Sequence, residues 1–523
     1  MAAPASPPPN PTPAAVPPGA APPAATSPAA FAITPQLARI IAALLVGGLA
    51  AIFDSTIVAI GLPTLVTSLH TNVATIQWVS TGYLLSLAVA IPLISWGEAR
   101  IGGKRLWLFA LALFMVGSIL CSLAWNPASL IAFRVVQGIG GGLLMPLMQS
   151  LLIQAAGPAA TGGAGMGKLM ATVSLPIALG PIVGPVIGGV ILHWLDWPWL
   201  FWVNVPVCLV GIVLGVLWLP RDRRPAHPPR FDIRGFAMLA PALVGLLYGL
   251  SNTHAEGGFG RTDVWLPMAA GLLLLVSFVF YATRRGEGAL VDVRLFRRGV
   301  VARASGIMFF TGTALFGAML LLPLYFENVR GFTVLTAAFY LIPQGVGSLL
   351  SRTLAGRAMD RIGARGVAVV GFVIVVVGTL PFSFAGGSTP VWLLLLSLLV
   401  RGIGLGAVLI PVIGVAYLGL QRTDVPHASV ITRIAQQLGG SFGTAILAAV
   451  LQAGTVHAVA QSDLAGGFRT AFWWATGFSA IAVVLSLLLP GRQGVAVTGP
   501  APGPEPGSKP STGGGAKKVA ASS

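Results

Sequence analysis

Long runs of apolar residues recur along the chain and are separated by short polar connections. Each run approaches the ~20 helical residues that cross a hydrocarbon core of about 30 Å. The pattern therefore predicts fourteen membrane-spanning helices. They run approximately over residues 40–66, 77–96, 106–124, 129–153, 169–192, 200–219, 235–251, 264–282, 304–326, 335–355, 367–384, 391–418, 429–451 and 471–489.

The overall composition agrees with a chain whose solvent is lipid. Of its 523 residues, 55% are hydrophobic and only 9% are charged, and the mean hydropathy is +0.86. A soluble protein needs far more charge to cover its surface. The sequence therefore predicts an all-α polytopic membrane protein.

The distribution of basic residues predicts how the chain is oriented. If both termini and the even-numbered connections are cytoplasmic, only Arg261, Arg330 and Arg469 fall outside that side, as the positive-inside rule requires. The formal charge of +17 is thus a topology signal, and we expect no nucleic-acid partner. The residues assigned to the cytoplasmic side are Arg39, Arg100, Lys104, Arg105, Lys168, those within 221–234, 284–303 and 352–365, Arg422, Arg433, Arg492, Lys509, Lys517 and Lys518.

Both ends of the chain differ in composition from the spans. Residues 1–38 are rich in Pro and Ala and lack the basic and short apolar regions of a signal peptide, and residues 491–523 are rich in Gly, Pro, Ser and Lys. We expect both tails to be disordered. Cys121 and Cys208 fall within apolar runs and do not suggest a disulfide framework.

Two pairs of similar segments indicate an internal repeat. GEARIGGKRL, residues 97–106, resembles GRAMDRIGARG, residues 356–366, and QGIGGGLLMP, residues 137–146, resembles RGIGLGAVLIP, residues 401–411. The first pair is offset by 259 residues and the second by 264. We predict a first six-helix half over 39–220, a linker with two additional helices over 221–300, and a second six-helix half over 301–490. Duplicated membrane halves place a substrate cavity at their interface, which implies transport.

One acid and one base lie where hydrocarbon should surround them. Asp54, in FDSTIVAIGLP, is the only acidic residue well inside any predicted span. A carboxylate there is costly, so we expect it to face a cavity or a partner and to exchange protons; a structural ion pair or a protonated, hydrogen-bonded acid is the alternative. Arg134, in FRVVQGIGG, is its natural counterpart, and the alternative for Arg134 is a lock between helices.

Two other charged residues are less informative. Arg401 aligns with Gln137 of the first half and not with Arg134, so a functional and a structural role are both open. Glu327 is predicted at the outer end of the ninth span, as a solvated rim charge.

Two glycine-rich segments match enzyme motifs without the required context. GGAGMGKL, residues 162–169, fits a phosphate-binding loop, but Leu169 stands where Ser or Thr must hold magnesium. GGSFG, residues 439–443, fits a serine nucleophile elbow but opens an apolar helix and does not follow a strand. Histidine and cysteine do not cluster at metal-ligand spacing. A serine-type membrane enzyme based on Ser441 is therefore kept only as the alternative of a different class.

Three segments together resemble the major facilitator superfamily, and more narrowly its fourteen-helix drug:proton antiporter branch. FDSTIVAIGLPTL resembles the first-helix motif of the branch, FRVVQGIGG the fourth-helix motif, and GPIVGPVIGG the fifth-helix antiporter motif, which symporters and uniporters generally lack. The resemblance extends from about residue 40 to about residue 490. The residues that match the fifth-helix motif are Gly180, Pro181, Gly184, Pro185, Gly188 and Gly189.

The resemblance implies roles for individual residues. Asp54 and Arg134 would couple transport to protons. Motif and substrate-path roles fall to Thr56, Gln137, Gly138, Met145 and Met148. The cytoplasmic gate would consist of Gly97, Arg100, Lys104, Arg105, Gly356, Asp360 and Arg361.

The chain departs from the branch's pattern at three places. Ala99 stands where the first cytoplasmic turn normally carries Asp, Pro198 where the entry to helix six usually has Arg, and Gln436 where helix thirteen commonly has Arg. These departures put the charge relay of the first turn in doubt, whereas the second copy keeps Asp360 and Arg361.

The sequence thus predicts a monomeric, proton-coupled antiporter of a bacterial inner or cytoplasmic membrane that works by alternating access. The proton gradient supplies the energy, and no cofactor or metal is expected. Its substrates would be small, mainly hydrophobic or cationic drugs, recognised largely by shape, aromatic rings and methionine. A dedicated exporter of one endogenous metabolite, such as a self-made antibiotic, a siderophore or a lipid, would share every motif. We also expect a kinked and tightly packed fifth helix.

Overall fold

The computed structural model describes residues 34–161, 184, 187–222, 230–252, 260–417, 420–421, 424–455 and 461–490. Within these ranges the chain is almost wholly helical and contains no strand. The α-helices are α1 (Pro35–Ser68), α2 (Val73–Ala90), α3 (Leu93–Ile101), α4 (Gly103–Ser122), α5 (Pro127–Thr161), α6 (Trp199–Trp202), α7 (Asn204–Trp218), α8 (Ile233–Ser251), α9 (Thr262–Arg285), α10 (Gly299–Leu324), α11 (Val334–Tyr340), α12 (Ile342–Thr379), α13 (Val391–Ala416), α14 (Val425–Thr455) and α15 (Gln461–Ser486). Short 3₁₀ helices cover Gly286–Gly288, Val293–Arg297 and Leu380–Phe384, and a π-helix covers Tyr325–Val329.

The number of spans can be counted only over the described residues. Eleven of their helices are long and apolar enough to cross a membrane, and the pair α2 and α3, bent by 53°, adds a twelfth. The fifth predicted span lies mostly outside the described residues, and the tenth is divided between α11 and the first part of α12. Fourteen spans therefore stay a prediction. The two additional helices expected between the halves correspond to α8 and α9.

Helix α1 begins before the predicted boundary at residue 39. Thr34 has an extended backbone, and its Oγ1 accepts a hydrogen bond from the backbone N–H of Leu37 at 3.2 Å. Pro35 follows at the first helical position, where its missing N–H is no loss and its fixed φ suits a helix. The Thr-Pro pair is thus a helix start that the hydropathy pattern does not reveal.

The two predicted basic turns are mostly helical, and each contains one break at a glycine. Gly102, with φ 94° and ψ 155°, separates α3 from α4. Gly363, with φ 76° and ψ 169°, interrupts α12 and divides the tenth span from the eleventh. Such backbone angles favour glycine, which has no Cβ to clash. The two glycines are 261 residues apart, in agreement with the repeat.

The glycines of the repeated GIG segments allow the same close packing in both halves. A Cβ added at Gly138 would lie 2.6 Å from the Tyr83 carbonyl oxygen on α2, and one added at Gly140 would lie 2.6 Å from the Phe114 amide nitrogen on α4. In the second half, Gly402 and Gly404 lie 264 residues later and approach the α12 backbone in the same way. The sequence repeat is therefore also a repeat of helix packing.

The hydrophobic core is shared by the halves at one end of the molecule and divided between them at the other. We name the shared end, which carries Lys104 and Arg298, the basic end. There, one cluster joins Met148 and Leu152 of α5 to residues of the second half such as Val412 on α13. At the opposite end the described residues form two clusters, one per half. The Tyr417 hydroxyl also donates to Gln149 Oε1 across the shared end at 3.4 Å. The halves are thus closed against each other at the basic end.

Candidate functional site

Asp54 lies in the middle of α1 and forms a fully enclosed ion pair. Its side chain is 0% exposed, and that of Arg134 on α5 is 1% exposed. Arg134 Nη1 lies 2.6 Å from Asp54 Oδ2. Two opposite charges without water between them attract strongly, but each also loses its hydration. The pair is therefore stable only as long as both partners are present.

Two amides complete the environment of the carboxylate. Gln137 Nε2 donates to Asp54 Oδ1 at 2.8 Å, and Asn204 Nδ2 on α7 donates to the same oxygen at 3.0 Å. Both amides also donate to Ser118 Oγ on α4 at 3.1 Å, and this hydroxyl donates to the Phe201 carbonyl oxygen at 2.9 Å. Charge-assisted bonds of this kind are shorter and stronger than bonds between neutral groups.

Helix α5 sets the geometry of this cluster. Arg134 and Gln137 are three residues apart, so they lie on one helix face, and Arg134 Nη1 also donates to Gln137 Oε1 at 2.8 Å. Arg134 Nε donates to the Val79 carbonyl oxygen of α2 at 3.2 Å, and its guanidinium lies 4.1 Å from the centre of the Tyr83 ring. Protonation of Asp54 would remove the negative charge that pairs with Arg134 and would turn one carboxylate oxygen into a donor, so the cluster could respond to a proton by rearranging.

The fifth predicted helix packs directly against α1 beside Asp54. A Cβ added at Gly184 would overlap the Thr56 side chain, and one added at Gly188 would lie 3.4 Å from the Ile57 carbonyl oxygen. The Thr56 hydroxyl itself bonds the carbonyl oxygens of Ile52 and Phe53 at 3.1 and 3.0 Å. Gly189 is half-buried. Gly180, Pro181 and Pro185 lie outside the described residues, so the expected kink stays a prediction.

The two predicted substrate-path methionines are buried in the shared core at the basic end. Met145 is 4% exposed and Met148 is 0% exposed. A Cβ at Gly48 of α1 would lie 2.8 Å from Met148 Sδ. In this conformation both methionines therefore pack between α1 and α5 and do not border an open cavity.

The predicted gate residues of the first half tie its own helices together. Lys104 Nζ donates to the carbonyl oxygens of Val216 and Leu219 at the end of α7, at 2.7 and 2.9 Å. The backbone N–H groups of Lys104 and Arg105 donate to the Asp222 carboxylate at 2.9 and 3.0 Å, so Asp222 caps α4.

The remaining gate residues lie around the same two breaks. Gly97 packs against Leu106, and a Cβ there would lie 3.0 Å from Leu106 Cδ2. Arg100 lies on α3 just before the first break, and Gly356 is buried in α12. Arg361 is exposed just before the second break, and the side chain of Asp360 is outside what the structure describes.

Glu98, next to the departure at Ala99, holds α3 against α5. Its carboxylate accepts from the Ser150 hydroxyl at 3.0 Å and from the Gln154 amide. The acidic residue of this turn therefore lies one position before the place that the family pattern gives it, and its hydrogen bonds stay within the first half.

Arg401 is buried, and every partner in its described hydrogen bonds is neutral. It donates to Gln344 Oε1 at 2.8 Å, to Thr379 Oγ1 at 3.1 Å and to the Ala314 carbonyl oxygen at 2.6 Å. A Cβ at Gly378 would meet the Arg401 backbone, as one at Gly117 would meet the Gln137 backbone. This packing agrees with the alignment of Arg401 with Gln137.

Three other sequence predictions concern peripheral or enzyme-like features. Glu327 lies in the π-helix that follows α10 and is half-buried. Ser441 lies inside the continuous helix α14, so it has no strand-turn-helix context. Residues 162–169 lie outside the described residues. Over the described ranges, no group of three or more His, Cys, Asp or Glu residues is placed to hold a metal ion.

Sequence reasoning points to Asp54, Arg134 and Gln137 but misses Asn204, Ser118 and Tyr83 around them, and Asp222 beside Lys104. Asn204 carries a visible signal, because it is a polar residue at the start of an apolar run. Ser118, Tyr83 and Asp222 carry none, since serine and tyrosine are common in spans and Asp222 lies in a charged connection.

The comparisons with known proteins agree on one family. The family model described as Major Facilitator Superfamily matches residues 44–444 and again residues 345–521. The "Multidrug resistance protein B homolog" of Mycobacterium tuberculosis (strain ATCC 25618 / H37Rv) is 36% identical over 400 residues, which cover 76% of this chain and 73% of that protein. The "Tetracenomycin C resistance and export protein" of Streptomyces glaucescens is 29% identical over 417 residues, covering 78% and 75%. A solved proton:xylose symporter of the superfamily superposes with a TM-score of 0.61 at 17% identity, covering 87% of this chain and 96% of that one.

Proposed function

Because the chain belongs to the major facilitator superfamily of membrane transporters, we propose that it exports small, mainly apolar drugs or antibiotics in exchange for protons. The resistance and export functions in the names of its relatives support drug efflux. The observation that carries proton coupling is the Asp54 carboxylate, which is fully enclosed, paired with Arg134 and bonded by two amides. An ionisable group in that position is functional by default in membrane proteins.

The coupling mechanism follows from the loss of a charge. When Asp54 takes a proton, Arg134 is left as a buried charge without a counterion, which is unfavourable at low dielectric. Arg134 must then bond to new partners, and since it lies on α5, this helix would move with it. Since α5 also contributes Met148 and Leu152 to the shared core, its movement would loosen the closure at the basic end. Protonation and opening of that end are thus linked, as a ligand shifts an equilibrium by its differential affinity for two states.

The orientation follows from the positive-inside rule. The basic end would face the cytoplasm and both termini would lie there, in the inner or cytoplasmic membrane of a bacterium. The described conformation would then be closed to the cytoplasm, ready to take a proton from outside. We propose that a single chain works as a monomer, with Met145 and Met148 on the path that opens inward, and that the proton gradient is the only energy source.

The assignment is tested by drug accumulation in an efflux-deficient host, with and without a protonophore, followed by transport in proteoliposomes. Asp54→Asn should abolish substrate-dependent proton movement, because an amide cannot exchange the proton. Asp54→Glu, which keeps an acid, is the matched control and should retain part of the coupling. Unchanged coupling in Asp54→Asn would contradict the assignment.

A dedicated exporter of one endogenous metabolite is a second candidate, because one relative is named for the resistance and export of a single compound. A panel of unrelated compounds separates the two. Reduced accumulation of several compounds supports multidrug export, whereas a response to one compound supports the dedicated exporter.

A further inference from the structure

A buried tyrosine hydroxyl of the first half lies against α5 and makes no hydrogen bond in the described part of the chain. The Tyr83 side chain on α2 is 2% exposed, and its Oη has no partner among the described residues. The hydroxyl lies over Gly141 of α5, where a Cβ would approach it to 2.7 Å. The Arg134 guanidinium lies 4.1 Å from the centre of the same tyrosine's ring. Tyr83 therefore connects the Asp54 cluster to whatever its hydroxyl binds.

A cation from the other half lies near this hydroxyl. Arg433 lies inside α14, about 12 Å along the helix from Val425 at 1.5 Å per residue. The helix begins at residue 425, four residues before the predicted start of this span. Helix α14 faces α2 at this level, because Ile434 borders the same small gap as Ala88 of α2, which lies little more than one turn from Tyr83.

The guanidinium of Arg433 is only partly satisfied. Its Nη1 donates to Gln436 Oε1 at 2.8 Å, while its Nε is buried and has no partner in the described part of the chain. Arginine can only donate hydrogen bonds, and a tyrosine hydroxyl can also donate one. A buried donor without an acceptor is unfavourable, so two such donors from opposite halves point to a missing acceptor.

The charges deep in the described spans favour the same kind of ligand. Three guanidinium groups, those of Arg134, Arg401 and Arg433, outnumber the two carboxylates enclosed there. Asp54 is paired with Arg134, and Glu98 is bonded to Ser150 and Gln154. At low dielectric this excess of positive charge repels a cation and attracts an anion.

We propose that the Tyr83 hydroxyl and the Arg433 guanidinium form a substrate subsite for an anionic or strongly accepting oxygen, so that weakly acidic apolar compounds are preferred to cationic ones. This inference rests on the proposed export function and replaces the expectation of cationic substrates. Outward movement of an anion and inward movement of a proton both carry positive charge inward, so the membrane potential would assist both.

The test compares two probes of opposite charge on the purified full-length protein: pyrenebutyrate and pyrenebutyltrimethylammonium, which share the pyrene ring and a four-carbon chain. Equilibrium dialysis should give a dissociation constant about tenfold lower for the anion, as expected for charge-assisted hydrogen bonds. Arg433→Gln should remove this preference. Tyr83→Phe, which keeps the ring under Arg134, should weaken anion binding several-fold without changing cation binding. Tyr325→Phe, at the opposite end, is the matched control and should change neither.

The ratio of the two affinities does not depend on the fraction of folded protein, so a partly misfolded variant still gives an answer. A wild-type ratio of one, or a preference that survives in Arg433→Gln, overturns the subsite. Loss of the preference in chloride but not in gluconate buffer would assign the site to an inorganic anion and would also overturn it. Binding requires no transport, so failure of the protonophore assay with an intact anion preference would refute the export function and leave the subsite standing.

Discussion

At the scale of single residues, the carboxylate of Asp54 is defined by the donors around it. Arg134 supplies the charge, but Gln137 and Asn204 fix the second oxygen, and Ser118 orients both amides. The amides therefore act on coupling through Asp54, although neither carries a charge. Such networks are worth more when every member is satisfied.

Replacement of Asn204 tests this dependence. Asn204→Ala removes a donor from Asp54 Oδ1 and from Ser118 Oγ, so we expect a loss of about 1–3 kcal/mol in stability and slower coupled export. Thermal unfolding in detergent and proton movement in proteoliposomes measure the two effects. In an Asp54→Asn background the effect on coupling should vanish, because the amide acts only through the carboxylate. An equal effect in both backgrounds would show that Asn204 has a separate role.

The sequence predicts the charged members of this site but only one of the neutral ones. Asp54 and Arg134 stand out because charge is rare in an apolar run, and Gln137 follows from the resemblance of FRVVQGIGG to the fourth-helix motif. Asn204 bonds to Asp54 although it lies 150 positions later in the chain, and no rule of sequence spacing predicts a contact over that separation. The start of α14 differs from the prediction by four residues, since hydropathy alone does not set where a helix begins.

At the scale of helices, glycine decides which pairs approach closely. The repeated Gly138 and Gly402 bring α5 against α2 and α13 against α12, and Gly184 brings the fifth predicted helix against α1 at Thr56. The repeat and its period were visible in the sequence, because small residues at fixed spacing are a packing signal. The sequence predicts turns at the two glycine-rich basic segments, because glycine commonly ends helices. The structure instead has helix on both sides of a single break, at Gly102 in the first segment and at Gly363 in the second.

Added bulk at Gly184 should separate the fifth helix from α1. A Cβ there would overlap the Thr56 side chain, and over-packing of this kind costs about 1–3 kcal/mol. Gly184→Val should therefore abolish coupled export while insertion into the membrane stays normal. The control is Gly306→Val on α10, where an added Cβ has no neighbour within 4 Å. Normal export by Gly184→Val would show that close contact with α1 is not required.

At the scale of the whole molecule, the structure fixes one conformation out of the two that alternating access needs. The halves share a core at the basic end and have separate cores at the opposite end among the described residues. A single sequence encodes both conformations, so hydropathy and motifs predict two halves but not which end is closed. Interfaces of this kind switch between discrete packings and do not deform gradually.

Cysteine labelling should report this closure directly. In a background of Cys121→Ala and Cys208→Ala, the pair Gln149→Cys and Tyr417→Cys lies at the closed end, where the native side chains lie 3.4 Å apart and are 6% and 0% exposed. A maleimide should therefore label this pair slowly in the resting protein.

The control pair is Asn126→Cys with Gly387→Cys, two exposed positions in connections of opposite halves at the other end. It should be labelled rapidly at rest, because both positions are exposed. If protonation of Asp54 opens the basic end, acidification should speed the labelling of the first pair relative to the second, and Asp54→Asn should remove this change. Equal and pH-independent rates at the two ends would mean that the halves do not alternate, and the link between the ion pair and the shared core would then have to be abandoned.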